Sequence, residues 1–273
     1  MTVLKMLGVL AALYLLAMTG FFVFQRSFLY YPSQDHFSIR EAHANSSFKE
    51  FSVKTEDGLD LTAWYAPATS KPFTFVFFHG NGDSLHTASP IADPYIAAGY
   101  GFLIAEYRGY SGLPGKPTED GLYSDARAYI NGLVAQGVKS ENIILFGHSL
   151  GTGVVTQMAE EFQVGGVMLL APYRSIPEIA QLNFPCFPAK YLALDRLENV
   201  KKIKNIHVPL LIVNGAMDQL VPPTDGRHLY ELANEPKEFH SLPGRGHNDA
   251  FDNFAVLSLD WANRLQAKKS ISH

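Results

Sequence analysis

A serine stands at the centre of a G-x-S-x-G pentapeptide, Gly147-His148-Ser149-Leu150-Gly151, which follows the apolar run Ile143 to Phe146. This pattern is typical of a sharp strand-to-helix turn that presents a serine hydroxyl as a nucleophile. The glycines two positions on either side omit Cβ atoms for which such a turn has no room. We predict that Ser149 is the nucleophile of an acyl-transfer reaction and that the Leu150 N–H stabilises the oxyanion. His148 occupies a variable position of the turn and is expected to be structural.

A serine hydroxyl is a weak nucleophile until a histidine accepts its proton and an acid orients that histidine. Asp218 follows the apolar run Leu210 to Val213, and His247 lies in a glycine-rich loop after an alternating run at 237–242. The order serine, aspartate, histidine is the one found in hydrolases built on a mostly parallel sheet. Asp218 is therefore predicted as the acid and His247 as the base. Asp249 is the alternative acid, but its position two residues from His247 makes Nδ1 of that ring difficult to reach.

A second oxyanion donor is expected from the loop that follows an earlier strand. The apolar run Phe73 to Phe78 ends in His79-Gly80-Asn81-Gly82, a polar and glycine-rich turn at the required place. We assign this donor to the Asn81 N–H, with Gly82 as the alternative. The histidines of the chain show no zinc-like spacing, so neither a metal nor a cofactor is predicted.

These stretches, together with Tyr107-Arg108-Gly109-Tyr110, resemble those of α/β-hydrolase-fold serine hydrolases. The chain is similar to the membrane-anchored alpha/beta-hydrolase domain-containing proteins and to the serine-aminopeptidase-like and lysophospholipase-like branches. The motifs punctuate residues about 48 to 265. The resemblance implies the same triad and the same two oxyanion donors. The chain departs from its relatives at Glu106, where many carry aspartate, and at Ser111, where they usually carry glycine.

The order of predicted elements agrees with this fold class. The pattern predicts an antiparallel hairpin formed by 48–53 and 59–65. Further strands, which alternate with helical stretches, are predicted near 73–78, 101–106, 143–147 and 166–170. Such alternation predicts an α/β-hydrolase fold, with a mostly parallel central sheet and helices on both faces. The proposed site residues all follow strands, so they should meet at the carboxyl edge of the sheet.

The N-terminus is different in kind, because Met6 to Phe24 contains no charged residue. As a helix this run would extend roughly 28 Å, close to the thickness of a bilayer core. We predict a single-pass membrane anchor at 1–26. A cleaved signal peptide is the alternative, although the run is longer than a usual h-region and no A-x-A site follows it closely. Lys5 and the amino terminus carry positive charge before the run, and Arg26 carries positive charge after it. From these flanking charges we expect a cytoplasmic N-terminal tail, with the catalytic domain outside the cytoplasm.

Residues 27–47 are predicted as a juxtamembrane linker, 48–267 as the hydrolase domain and 268–273 as a tail. Within the domain, the proline-rich segment at about 172–208 is too long for an ordinary connection and is predicted to form a small cap. Five apolar side chains of the cap are candidates to line an acyl pocket above Ser149, with simple packing onto the domain as the alternative: Leu182, Phe184, Phe187, Tyr191 and Leu192.

Composition and net charge bear on the possible partners of the protein and on the state of its cysteine. A net charge of −4 and a pI of about 6.2 give no reason to expect a nucleic-acid partner. The single cysteine, Cys186, rules out an internal disulfide and is expected to be a buried small hydrophobe, with a reactive thiol as the alternative. The sequence indicates no oligomeric state.

The apolar cap and the membrane anchor together favour hydrolysis of carboxylic esters or thioesters, with a small-molecule or lipid-like acyl compound as substrate. An amide or peptide hydrolase that uses the same triad is one alternative, because the fold does not choose among these reactions. A non-catalytic, membrane-tethered interaction protein is the other.

Overall fold

The computed structural model describes residues 3–34, 36–42 and 44–271. Its eight strands are β1 (Lys49–Lys54), β2 (Asp60–Ala66), β3 (Thr74–Phe78), β4 (Gly101–Ala105), β5 (Ile143–His148), β6 (Gly166–Leu170), β7 (Leu210–Gly215) and β8 (Lys237–Leu242). They form one sheet in the order β1-β2-β4-β3-β5-β6-β7-β8. The pairs β1/β2 and β2/β4 are antiparallel, and all other neighbours are parallel. The predicted hairpin and mostly parallel sheet are confirmed.

The helices are α1 (Val3–Leu29), α2 (Leu85–Ala88), α3 (Asp93–Ala97), α4 (Glu119–Ala135), α5 (Leu150–Glu161), α6 (Ile176–Asn183), α7 (Ala189–Leu192), α8 (Asn199–Lys202), α9 (Pro223–Leu232) and α10 (Phe251–Ile271). Three short 3₁₀ turns lie at Ser89–Ala92, Ser140–Asn142 and Ile203–Asn205. Helix α4 is capped by Thr118, whose hydroxyl accepts a hydrogen bond from the Gly121 N–H at 3.0 Å.

The core has two layers, one on each face of the sheet. Alternate side chains of a strand point to opposite faces. Val76 and Leu145 therefore join α4, α5 and α9 in one cluster. Phe77 and Phe146 join α3 and α10 in the other. Every residue of β3 to β7 is buried, as expected for parallel strands with helices on both faces.

Helix α1 lies outside this core except at its last residue, Leu29, which packs against the first cluster. It has 27 residues, and its most apolar window has a mean hydropathy of 2.2 with no residue buried. Among the described residues it is the one helix long and apolar enough to cross a membrane, and a signal sequence has the same two properties. Its second half nevertheless contacts the cap (172–208), where Phe21 stacks on Phe187 with ring centroids 5.2 Å apart.

Three expectations for the cap were wrong. Leu182 and Tyr191 are 60% and 82% exposed, so neither lines a pocket. Cys186 is exposed rather than buried. It lies in the turn between α6 and α7, beside Pro185, on the side of the cap that faces α1, and its carbonyl oxygen accepts a hydrogen bond from the Tyr14 hydroxyl at 2.8 Å. The outer surface of the cap is therefore apolar without being covered by the hydrolase domain.

Candidate active site

Ser149 stands in the sharp turn between β5 and α5. Its backbone has φ 49° and ψ −114°, an unusual conformation for a residue with a side chain. A Cβ atom on Gly147 would lie 2.7 Å from the Gly151 carbonyl oxygen, and one on Gly151 would overlap the Phe78 carbonyl oxygen. The two glycines of the pentapeptide thus let α5 approach β5 and β3 closely. The turn raises Ser149 at the carboxyl edge of the sheet.

The three residues predicted as a triad lie in a row, with His247 within hydrogen-bonding distance of both Ser149 and Asp218. His247 Nε2 is 2.9 Å from Ser149 Oγ, and His247 Nδ1 is 2.7 Å from Asp218 Oδ2. Asp218 follows β7, and His247 follows β8. Because β5, β7 and β8 are parallel, the loops after them meet at the same edge of the sheet.

Asp218 is held in one orientation by its own turn. Its Oδ1 accepts hydrogen bonds from the Leu220 and Val221 N–H groups, both at 2.9 Å. Burial opposes ionisation of this carboxyl, but the His247 hydrogen bond and the two N–H groups outweigh burial and lower its pKa. The carboxylate favours the His247 tautomer with the proton on Nδ1, which leaves Nε2 free to accept a proton. Asp249 instead accepts a hydrogen bond from the Gly246 N–H at 2.6 Å within its own loop.

His148 is buried behind the proposed base. Its Nε2 lies 3.3 Å from the His247 carbonyl oxygen, and the two rings are 5.2 Å apart. Burial, reinforced by the nearby His247, lowers the pKa of His148 to about 3. Its Nδ1 has no hydrogen-bond partner in the described part of the chain. The neutral ring therefore supports the loop that carries His247, in keeping with the structural role expected for it.

The two predicted oxyanion donors line the same cleft as Ser149. Leu150 is the first residue of α5, and the first N–H groups of a helix have no acceptor inside the helix. Asn81 lies in the turn after β3, on the other side of the serine. Within the described residues, neither N–H donates a hydrogen bond to the protein.

Sequence reasoning missed the role of the Asn81 side chain. Its Nδ2 donates to the Leu29 carbonyl oxygen at 2.6 Å. Its Oδ1 accepts from the Tyr31 N–H and from the Tyr110 hydroxyl, both at 2.9 Å. The loop that presents the predicted donor is thus fixed to the end of α1 and to the Tyr107–Tyr110 motif. In the sequence, the one signal for the contact between Asn81 and Tyr110 was the tyrosine in that motif.

A buried hydrogen-bond network around Glu106 supports the turn after β3 that carries Asn81. Glu106 accepts hydrogen bonds from the Ser111 hydroxyl at 2.6 Å and from the Tyr107 N–H at 3.0 Å, and it contacts His79 Nε2 at 2.7 Å. Burial alone would lower the pKa of His79, but the Glu106 carboxylate outweighs it and raises that pKa. The two departures from the family pattern, Glu106 and Ser111, are therefore partners of each other.

The cleft above Ser149 has a volume of about 750 Å³. Polar loop residues 80–83 form one wall, and apolar side chains of α6 and of the end of α1 form another: Ile176, Ile179, Phe184 and Phe28. Of the five predicted cap residues, Phe184 lines this cleft, and Leu192 lines a neighbouring cavity between α1 and the cap. The other three line neither: Leu182, Phe187 and Tyr191. Among the described residues, no group of three or more His, Cys, Asp or Glu side chains has the arrangement of a metal site.

Comparison with known proteins identifies the family. A model of the alpha/beta hydrolase family matches residues 75–199. An uncharacterized protein of Mycobacterium tuberculosis is 34% identical over 229 residues, which cover 82% of this chain and 81% of the relative. Human alpha/beta hydrolase domain-containing protein 17B is 31% identical over 219 residues, which cover 78% of this chain and 73% of the relative. The chain belongs to the alpha/beta hydrolase family.

Solved structures of alpha/beta hydrolases share the fold. An esterase of Pyrococcus furiosus matches with a TM-score of 0.68 at 17% identity, over 87% of this chain and 95% of the esterase. The alpha/beta hydrolase GrgF of a Penicillium species matches with a TM-score of 0.66 at 19% identity, over 81% and 99%. The predicted α/β-hydrolase fold is confirmed.

Proposed function

We propose that this protein is a serine hydrolase that cleaves carboxylic esters or thioesters of apolar acyl chains through an acyl-enzyme. The observation that carries the proposal is the row Ser149 Oγ, His247 and Asp218, with successive distances of 2.9 and 2.7 Å. A purely structural or interaction protein has no physical need for a strained serine aligned with a histidine and a buried carboxylate.

In the first step, His247 Nε2 takes the Ser149 proton as Oγ attacks the substrate carbonyl carbon. The carbonyl oxygen becomes an oxyanion, to which the Asn81 and Leu150 N–H groups donate hydrogen bonds. The tetrahedral intermediate collapses as the bond to the leaving alcohol or thiol breaks, and His247 gives its proton to that group. Asp218 stabilises the imidazolium that exists between these events.

In the second step, water attacks the acyl-serine ester. His247 takes a proton from the water, and the same two N–H groups stabilise the second oxyanion. Collapse of this intermediate breaks the bond to Ser149 Oγ, which regains its proton from His247. The products are the free acid and the alcohol or thiol, and the enzyme returns to its starting state.

The substrate class is proposed from the apolar wall of the cleft and from the similar structures. Besides the Pyrococcus esterase, a monoacylglycerol lipase of Paleococcus ferrophilus matches with a TM-score of 0.58. Ile176, Ile179 and Phe184 provide apolar surface beside the serine, which suits an acyl chain better than a charged peptide.

Labelling with a fluorescent fluorophosphonate tests the proposal. We expect the full-length protein in detergent to form an adduct that Ser149→Ala abolishes, while Ser47→Ala, outside the site, reacts as the wild type does. No adduct on the wild type would show that the protein is not a serine hydrolase, and an equal adduct on Ser149→Ala would show that Ser149 is not its nucleophile. A panel of p-nitrophenyl esters, acyl thioesters and aminoacyl amides then separates the ester and thioester proposal from amide hydrolysis.

We also propose that α1 is an N-terminal anchor and that the catalytic domain lies outside the cytoplasm. The length and hydropathy of α1 support the anchor, and Lys5 next to the amino terminus supports a cytoplasmic tail. Thermolysin added to intact right-side-out vesicles should digest the catalytic domain. Protection of the domain until detergent is added would contradict this orientation.

A further inference from the structure

A second, narrower cavity of about 120 Å³ lies between α1 and the cap. It adjoins the cleft above Ser149, because six residues line both: Phe28, Leu29, Ile176, Ile179, Asn183 and Phe184. Beyond them it is bounded by Phe21 and Phe22 of α1 and by Ala180 and Ala193 of the cap, and the ion pair between Arg26 and Asp195 also lines it. Its surface is mostly apolar, and no proposed catalytic residue lines it.

The wall that α1 contributes is firmly attached. Phe21 packs against Phe184 with ring centroids 4.6 Å apart. Arg26 forms a two-point ion pair with the buried Asp195, with Nε to Oδ2 at 2.7 Å. Gln25 accepts a hydrogen bond from the Leu194 N–H at 2.7 Å. Helix α1 therefore forms one wall of the cavity and is also a candidate membrane span.

These contacts also indicate how deep the cap would lie in a membrane. They begin at Tyr14, whose ring stacks on Phe187 with centroids 5.9 Å apart. The part of α1 free of the cap, Val3 to Leu13, is only about 16 Å long, roughly half of a bilayer core. If the whole apolar helix is in the membrane, the cap lies beside the hydrocarbon of the nearer leaflet. The exposed Leu182, Tyr191 and Leu194 of the cap suit that position.

We propose that the cavity between α1 and the cap holds the distal part of the substrate's acyl chain, which reaches Ser149 sideways from the bilayer between α1 and α6. The inference deepens the proposed ester or thioester hydrolysis and rests on it for the reacting group. The scissile carbonyl lies at Ser149, the chain passes along the paired rings of Phe28 and Phe184, whose centroids are 6.3 Å apart, and its end contacts Ala180 and Ala193. An acyl chain is favoured because the continuation of the cleft is narrow and apolar, and because α1 forms one side of it.

The test fills the cavity without changing the catalytic cleft. Ala180→Phe and Ala193→Phe place a ring in the cavity between α1 and the cap, whereas the matched control Leu182→Phe, also on α6, alters an exposed side chain that lines neither cavity. Full-length proteins in phosphatidylcholine nanodiscs are assayed with p-nitrophenyl decanoate and acetate. We expect the decanoate-to-acetate ratio of kcat/KM to fall at least about tenfold in both filling variants, and to stay within about twofold in Leu182→Phe. A ratio unchanged by both filling variants overturns the inference.

Photolabelling separates this inference from the proposed function. Palmitate that carries a terminal diazirine is added to Ser149→Ala in nanodiscs, and labelled peptides are identified by mass spectrometry. We expect labels within 17–29 and 176–193, and their loss when Ala180→Phe is added. Labels on these segments, together with a wild-type protein that hydrolyses no ester, would refute the proposed reaction and leave the acyl site standing. Absence of label there, with ester hydrolysis intact, would refute the acyl site alone.

Discussion

The Asn81 side chain donates a hydrogen bond to the carbonyl oxygen of Leu29, the last residue of α1, across 2.6 Å. One residue thus connects the end of the apolar helix with the loop that carries a proposed oxyanion donor. The Tyr31 N–H and the Tyr110 hydroxyl also donate hydrogen bonds to this side chain, so three hydrogen bonds hold the loop. Helix α1 therefore has a structural connection to the cleft above Ser149 as well as a location next to it.

Asn81→Ala keeps the backbone N–H but removes all three side-chain contacts. We expect kcat to fall about tenfold with little change in KM, because a displaced donor weakens binding of the oxyanion more than binding of the ester. Steady-state kinetics on a short ester measure both constants. Asn45→Ala, which removes a half-buried amide bonded to Asp93 and to the Ser47 N–H, is the matched control and should keep the wild-type kcat. A wild-type kcat in Asn81→Ala would rule out the positioning role.

Asp218→Asn removes the charge that orients His247. We expect kcat to fall by a factor on the order of 10⁴, the size of loss known for this change in a serine protease triad. Asp249→Asn is the matched control, because in the described part of the chain the Asp249 carboxylate hydrogen-bonds to the Gly246 N–H of its own loop and not to His247. It should lower kcat less than about threefold. Similar losses in both variants would count against Asp218 as the acid.

We expect His148 to make the stability of the fold sensitive to mild acid. Its pKa is lowered to about 3 in the folded state, while an unfolded histidine has a pKa of about 6.5. Between these values the unfolded chain binds a proton that the folded chain does not, so stability falls as the pH falls from about 6.5 towards 3. At pH 5 this contribution is on the order of 2 kcal/mol.

His148→Asn should therefore lose less stability than the wild type between pH 7.5 and pH 5, by roughly that amount. Urea unfolding of the detergent-solubilised protein at the two pH values gives the difference. His228→Asn replaces a partly exposed histidine and should leave the pH dependence as it is. If His148→Asn shows the wild-type pH dependence, the ring is not held neutral in the folded protein.

Gly151→Ala tests the close approach of α5 to β3. The new Cβ would overlap the Phe78 carbonyl oxygen, which is backbone and cannot move aside. We expect a loss of about 2 kcal/mol or more and a melting temperature lower by about 5 °C. Gly8→Ala, on the open surface of α1, should not lower the melting temperature. An unchanged melting temperature in Gly151→Ala would mean that the turn has more room than these distances indicate.

Elements with a strong local pattern were predictable from the sequence. The apolar run before Ser149 is β5, and the alternating run 237–242 is β8. The meeting of Ser149, Asp218 and His247 followed from strand order, because the loops after parallel strands share one edge of the sheet. The roles of these residues in catalysis remain predictions.

Contacts between distant side chains were not predictable. Nothing in the composition around Arg26 or Asp195 indicates that these residues, 169 positions apart, form an ion pair. The exposure of Leu182 and Tyr191 also contradicted a pattern, because apolar residues in a cap normally predict burial against the domain. Here the cap faces α1, so apolar side chains lie on its outer surface.

The contacts of α1 with the cap have a practical consequence for expression of the protein. A recombinant chain that begins after Leu29, the usual way to obtain a soluble domain, would leave the rings of Phe184 and Phe187 bare and the carboxylate of Asp195 without its guanidinium. Such a truncation would expose an apolar surface beside the cleft and promote aggregation. Purification with the N-terminal helix retained is therefore the better route to a working enzyme.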